Sequence, residues 1–190
     1  PGSRFTANQI INLIAQPAIA RAYRLGETES EAVRKWLASA RASWGIDAAQ
    51  RTETGAPKNH AQNSLFWALD RLMAGFVFGN TESADTPVLY ALPEEVLAPA
   101  ADIHGPEAEA LGSLYALLSD LRAFDQLAAN SFTGPVWAQK FDAMLAKSFR
   151  IDATDAEEKK ALSQLRVMVQ NLANESHAAE ATPRLHFDVV

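Results

Sequence analysis

The sequence of 190 residues contains no cysteine. This absence excludes disulfide bonds, thiol nucleophiles and thiolate metal ligands. The sequence also has no apolar run of about 18 residues, the length that a membrane-spanning helix needs, and no basic and then apolar leader of the kind that opens a signal peptide. We therefore expect a cytoplasmic protein that does not associate with membranes.

The motifs that carry most enzyme chemistry are missing as well. No glycine stands directly before a lysine, so the chain lacks a phosphate-binding loop. The four histidines share no metal-ligand spacing, and no nucleophile elbow occurs. Glu157-Glu158-Lys159 has the acid-x-Lys spacing of magnesium nucleases, but it lies in the first turns of a predicted helix, where carboxylates favour the helix dipole. We expect no catalytic residue, no metal and no cofactor in this chain.

Helix signals run along most of the sequence. Pro17 suits the first turn of a helix, and Gly26 and Gly45 suit helix ends. Residues 47–61 are polar and predict a loop, and residues 79–105 predict a long connection with one weak strand candidate at Val88-Leu89-Tyr90. Three strings match the capping box, Thr6–Gln9, Thr28–Glu31 and Thr154–Glu157. The sequence predicts an all-α fold, an irregular bundle of six to seven helices.

The composition and the two ends suggest how the chain is organised. With 48% apolar and 21% charged residues it is typical of a globular domain. Residues 1–3, Pro-Gly-Ser, are interpreted as a cloning remnant. Residues 4–182 are predicted to form a single helical domain. Residues 183–190 end on apolar side chains, which predicts either the start of a truncated following segment or a natural terminal element docked on the core. We expect the isolated fragment to be monomeric.

Charge is unevenly distributed around a formal net charge of -6. The first 60 residues carry eight Lys/Arg against five Asp/Glu, whereas residues 61–133 carry two against ten. An acidic protein of this kind is not a strongly basic nucleic-acid module. The candidate DNA-binding residues are therefore confined to the N-terminal third: Arg21, Arg24, Arg34, Lys35 and Arg41. The competing interpretation is a solvated face with helical partners such as Glu31–Lys35.

The tryptophans are interpreted as core residues rather than as base-stacking platforms. Trp36 and Trp44 are eight residues apart, which places them about 80° apart around a helix. We expect both to be buried on the inner face of one helix, the third of the predicted bundle.

Three strings together resemble a known family. They are Arg4-Phe5 with Leu13-Ile14-Ala15-Gln16-Pro17-Ala18-Ile19-Ala20, Trp36-Leu37 leading to Trp44-Gly45-Ile46-Asp47, and Phe66-Trp67-Ala68-Leu69-Asp70-Arg71-Leu72-Met73-Ala74-Gly75-Phe76. In this order and spacing the chain resembles RecC, the gamma subunit of exodeoxyribonuclease V (RecBCD). The resemblance covers residues 4–78 well and concerns the internal helical, helicase-like region called sub-domain 2B. Ala22 and Ser43 stand where the family is expected to have basic residues.

The resemblance implies a structural role without chemistry of its own. The chain is expected to be a non-catalytic structural and DNA-channel domain, in double-strand-break repair and Chi-regulated recombination. RecB, RecD and DNA are its implied partners in the full complex, and no catalytic residue is carried over. An alternative of another class stays open, a helical ligand-binding regulator domain whose DNA-binding head lies outside this chain.

Overall fold

A computed structural model describes residues 3–79, 89–91, 96–100, 103, 105, 107–178 and 184–187. Pro106, which suits the first turn of a helix, and Val88, the first residue of the strand candidate, lie outside these residues. The elements are α1 (Ala7–Ile14), α2 (Pro17–Tyr23), α3 (Glu27–Ser39), α4 (Ala48–Glu53), α5 (Leu65–Phe78), β1 (Tyr90–Ala91), β2 (Val96–Leu97), α6 (Glu107–Ala128), β3 (Ser131–Phe132), α7 (Gly134–Ser148), α8 (Ala156–Ala178) and β4 (Leu185–His186).

The all-α prediction is confirmed. Eight helices and two antiparallel pairs of two-residue strands, β1 with β2 and β3 with β4, account for the elements in the part of the chain that the structure describes. The additional helix is α4, within the predicted loop 47–61, so that prediction is wrong for the six residues of α4. Asp47 starts α4 by accepting a hydrogen bond from the backbone N–H of Gln50 at 2.9 Å. A helix this short has no apolar period to reveal it.

The helix starts test the three capping boxes. The box at Thr6 and Gln9 is confirmed, since both reciprocal hydrogen bonds are present. The box at Thr28 is wrong, because α3 already begins at Glu27 and its N-cap is Gly26, two residues before Thr28. The box at Thr154 is wrong by one residue, because the capping residue is Asp155, whose carboxylate accepts from the backbone N–H groups of Glu157 and Glu158.

The predicted glycine stops are also wrong. α2 ends at Tyr23 and α3 ends at Ser39, before Gly26 and Gly45 are reached. Arginine takes the left-handed conformation just beyond each helix, with φ 55° at Arg24 and φ 58° at Arg41. Arginine has neither the freedom of glycine nor the short polar side chain of asparagine and aspartate, which favour this conformation, so nothing in the residue types predicts it at these two positions.

The contacts divide the chain into two compact units. One comprises Gly2–Ala15 and Arg24–Asp120, and is called the α3 unit below; the other comprises Gln16–Tyr23 and Leu121–Val190, and is called the α7 unit. No observation tests the predicted boundaries at residues 4, 182 and 183, which stay predictions.

The core of the α3 unit is aliphatic. Helices α1, α3 and α5 and the N-terminal part of α6 contribute its buried side chains, which include Ile10, Ile14, Val33, Leu37, Leu65, Leu69, Leu72, Leu114 and Leu118. Trp36 is 6% exposed and belongs to this core, as predicted. Trp44 does not: it follows the end of α3, in a segment without helix, and is half-buried.

The core of the α7 unit is aromatic. The fully buried Trp137 stacks on Phe141 at 5.6 Å between ring centroids and meets Phe187 at 5.9 Å. Its indole N–H donates to the carbonyl of Leu185 at 2.8 Å, and β4 pairs with β3. Residues 184–187 therefore pack within this unit.

Candidate nucleic-acid interface

Arg21 connects α2 to the segment before α8 and to the start of α8, within the α7 unit. It lies in α2 and forms an ion pair with Glu158 at the start of α8. Its Nε–H also donates to the backbone carbonyl of Arg150 at 2.8 Å. Glu158 in turn accepts from the backbone N–H of Asp152 at 2.7 Å. Because the guanidinium of Arg21 already binds a carboxylate and a backbone carbonyl, its role is structural. This argues against a direct contact between Arg21 and DNA phosphate.

Arg34 and Lys35 project from the middle of α3 into solvent. Both lie near Glu31, at N–O distances of 3.5 Å and 3.9 Å, and all three side chains are more than half exposed. Ion pairs at this exposure contribute about 0–1 kcal/mol. The predicted pairing with Glu31 is thus present, and it is weak enough for a phosphate to replace.

Arg24 and Arg41 mark the two ends of α3. Both are exposed, and neither makes an ion pair with any residue that the structure describes. α3 has 13 residues, so its ends are about 20 Å apart. Arg34 and Lys35 lie on α3, and Arg24 and Arg41 flank its ends, so the four predicted cations of this unit are spread along the helix and do not converge on a point. Arg21 belongs to the other unit.

Arg51 is a buried cation that no motif in the sequence indicates. This side chain is 2% exposed, and its guanidinium donates to the carbonyl of Trp44 through Nε at 2.9 Å and Nη2 at 2.6 Å. Nη1 donates to the carbonyls of His60 and Gln62 at 3.2 Å and 2.6 Å. Burial lowers the pKa of Arg51 from its ordinary value. Arg51 fastens the loop after α4 to the segment before it.

Gly45 makes room for this arrangement. Its φ of 79° is in the left-handed region, and a Cβ at this position would lie 2.5 Å from Cγ of Arg51. Any side chain here would both strain the backbone and displace Arg51. Gly45 thus serves the close approach of Arg51 and not the end of a helix.

Trp44 lies close to two guanidinium groups and lines a cavity. Cζ of Arg51 is 4.5 Å from the indole centroid, and Cζ of the exposed Arg4 is 5.7 Å from it. Contacts of this kind between a cation and an aromatic ring contribute about 0.5–2 kcal/mol. The adjacent open cavity has a volume of about 380 Å³, and His60 and Asn63 also line it. We call it the Trp44 cavity.

Arg71 is a second structural arginine that sequence reasoning missed. It donates to the carbonyls of Ala98 and Ala40 at 2.8 Å and 3.0 Å, and its guanidinium lies 4.9 Å from the ring centroid of Trp67. Burial, and then the charge of Arg41, lower its pKa. A single basic residue within the apolar string 65–78 was the available signal, since an arginine there must find acceptors among backbone carbonyls.

The described residues contain no group of three or more His, Asp or Glu side chains placed to hold a metal ion. Within the same described part of the chain, no helix has both the length and the apolar character to cross a membrane.

A family model covers the whole chain. The model of the fourth domain of RecC, a subunit of the RecBCD enzyme, matches residues 1–190. The chain belongs to the RecC fourth-domain family. This confirms the resemblance that the three strings indicated, while the narrower label of sub-domain 2B stays a prediction.

A curated relative agrees with this assignment. RecBCD enzyme subunit RecC of Buchnera aphidicola subsp. Acyrthosiphon pisum (strain APS) is 22% identical to the chain over 148 residues. The match covers 78% of this chain and 13% of that protein. The chain thus spans a small part of the length of this RecC subunit, and what the whole subunit does comes to it only as a proposal.

Proposed function

We propose that this RecC domain is a non-catalytic structural element of the RecBCD complex, and that the exposed side of α3 forms part of a DNA channel. Family membership over the whole chain carries the placement in the complex. The sequence supports a role without catalysis, because it lacks a phosphate-binding loop and a nucleophile motif.

The cations of α3 support the DNA channel. Arg24 and Arg41 are exposed and flank α3, whose 13 residues span about 20 Å, and Arg34 and Lys35 lie between them in weak ion pairs with Glu31. Such a row suits a phosphate backbone rather than a compact anion. Both terminal arginines also occupy the left-handed conformation that glycine would adopt at lower cost. Strained positions of this kind occur where a side chain is needed for function.

In the complex, the domain would act together with partner subunits. RecB and RecD would supply the motors and the nuclease, and this domain would act in double-strand-break repair and recombination as a wall of the channel. Membership in the RecC family favours this role over that of a ligand-binding regulator domain.

The test is made in the complete RecC subunit, assembled with its partner subunits. Arg24→Glu/Arg41→Glu should weaken the binding of a forked DNA about tenfold or more, because it reverses two charges on the proposed surface. The matched control is Lys159→Glu/Lys160→Glu, which changes the same charge on exposed residues of α8. Equal DNA affinities in the two assembled variants would contradict a channel role for α3.

A further inference from the structure

The Trp44 cavity combines cationic and amide side chains without a carboxylate. The residues that carry this character are Arg4, Arg51, His60, Gln62 and Asn63, and no Asp or Glu lines the cavity in the part of the chain that the structure describes. Its volume of about 380 Å³ accommodates a phosphate group together with part of a nucleoside. The cavity therefore favours an anion.

The buried guanidinium of Arg51 is the strongest reason for this preference. All the acceptors of its N–H groups named above are carbonyl oxygens, which satisfy hydrogen bonds but carry no net charge. Arg51 makes no ion pair with any described residue. Buried charges are as a rule paired with an opposite charge. Because Arg51 has no such partner among the described residues, its positive potential extends into the adjacent cavity.

Arg4 and Trp44 add a movable donor and an aromatic surface. Arg4 is exposed and rests near the indole ring, from which it can turn toward an anion in the cavity. Arginine binds phosphate through paired N–H groups. An indole freed by that movement offers a face for a nucleobase, and base stacking on aromatic residues contributes about 1–3 kcal/mol.

We propose that the Trp44 cavity binds one backbone phosphate of a single DNA strand, with Arg4 as its mobile ligand. This inference rests on the proposed function, because it takes the strand to be DNA in the RecBCD channel. It adds a site that is separate in sequence from the α3 cations.

The decisive variant places a negative charge in the cavity without disturbing the loop. Asn63 lines the cavity and Asn59 does not, yet both are asparagines in the left-handed conformation, with φ 65° and 59°. Aspartate tolerates that conformation nearly as well as asparagine. In the assembled complex, Asn63→Asp should weaken the binding of a thymidine strand of about 20 nucleotides about five- to tenfold. The control Asn59→Asp should change it less than about twofold, because Asn59 does not line the cavity and is exposed to solvent that screens its charge.

A second measurement, the salt dependence of strand binding, gives the number of phosphate contacts that Arg4 makes. Arg4→Gln should lower the slope of log affinity against log salt by about 0.7, the value for one phosphate of a single strand. Lys160→Gln removes the same charge from an exposed position in α8 and should leave the slope unchanged. Equal effects of the two asparagine variants, or equal slopes for the two glutamine variants, would overturn the proposal.

Competition with inorganic phosphate distinguishes a DNA phosphate from a free anion as the ligand of the cavity. If inorganic phosphate competes with the strand in the wild-type protein and this competition is lost in Asn63→Asp, the cavity is the shared phosphate site. If Asn63→Asp changes the effect of inorganic phosphate but leaves strand binding intact, the site takes a free anion and the assignment to DNA is overturned. The channel proposal fails separately, when Arg24→Glu/Arg41→Glu has no effect while Asn63→Asp does.

Discussion

Five arginines of this domain fall into three kinds that the sequence alone cannot separate. Arg51 and Arg71 are held by backbone carbonyls, Arg21 is held by an acid and a carbonyl, and Arg24 and Arg41 extend into solvent. The sequence located basic residues but not their partners, because a partner such as Glu158 is 137 positions away from Arg21.

Trp36 and Trp44 show that a helical period predicts burial only as far as the helix extends. A period of 3.6 residues correctly placed Trp36 in the core, because α3 does extend through it. The same period failed for Trp44, because α3 stops at Ser39 and the period has no meaning beyond that residue.

Trp36→Ala should therefore lower the free energy of unfolding by about 3–5 kcal/mol, the usual cost of emptying a large aromatic site in a core. Met168→Ala is the comparison, because Met168 is 68% exposed and should cost less than about 0.5 kcal/mol. Denaturant unfolding of both variants measures the difference. A cost below about 1 kcal/mol for Trp36→Ala would contradict its place in the core.

Arg41→Gly should leave stability unchanged or raise it by up to about 1 kcal/mol, because glycine adopts φ 58° without the steric cost that arginine carries there. Arg21→Ala should instead lower stability by about 1–2 kcal/mol, since it breaks an ion pair and a hydrogen bond to a carbonyl. Thermal melts of the two variants, compared with the wild type, distinguish the arginines. A loss of more than about 1 kcal/mol for Arg41→Gly would show that its side chain has a structural partner.

At the scale of elements, long helices were predictable and their ends were not. Helices α5 to α8 follow apolar periods that the sequence displays, whereas α4 depends on one capping carboxylate and on the burial of Gln50 and Arg51. The start of α8 is decided by a turn in which Asp152 accepts hydrogen bonds from the backbone N–H and hydroxyl of Thr154, both at 2.7 Å. Such turns depend on single side chains, so the apolar period of a helix does not predict them.

The turn before α8 should make stability depend on pH. The backbone hydrogen bond from Thr154, and then its hydroxyl, lower the pKa of Asp152 below 3.8. A carboxyl with a lowered pKa stabilises the folded state above its unfolded pKa and loses that effect as the pH falls through the folded value. The difference in melting temperature between the wild type and Asp152→Ala should therefore be constant from about pH 7 to 5 and shrink below about pH 4. A difference that grows in acid would contradict this sign.

α8 presents a further contrast at this scale. Leu162, Leu165 and Met168 recur at the three-residue spacing of one helix face, but Leu165 and Met168 are 44% and 68% exposed. Periodicity identifies an apolar face without showing what covers it, so burial is the part of such a prediction that needs the structure.

At the scale of the whole molecule, charge limits what the domain does alone. The formal net charge is -6, and the net negative charge is concentrated between positions 61 and 133, where only two Lys/Arg offset ten Asp/Glu. The cations of α3 are thus an exception on a chain that as a whole repels phosphate. Composition made this balance predictable, whereas the cavity at Trp44 depends on contacts among residues 4, 44, 51 and 63 that no local motif indicates.

DNA binding by the 190-residue chain should accordingly be weak and sensitive to salt. Non-specific binding by ordinary DNA proteins has dissociation constants of about 10⁻⁴–10⁻⁶ M at physiological salt, and this acidic chain should lie at the weak end of that range or beyond it. A titration of labelled single-stranded DNA at about 50 and about 200 mM salt measures it, with Arg24→Ala/Arg41→Ala as the variant and Lys159→Ala/Lys160→Ala as the charge-matched control. Removing the two arginines should reduce the salt slope by up to about 1.4, because each phosphate of a single strand contributes about 0.7. Tight binding that persists at high salt would show that stacking or a closed pocket dominates, and α3 would then not be the main contact.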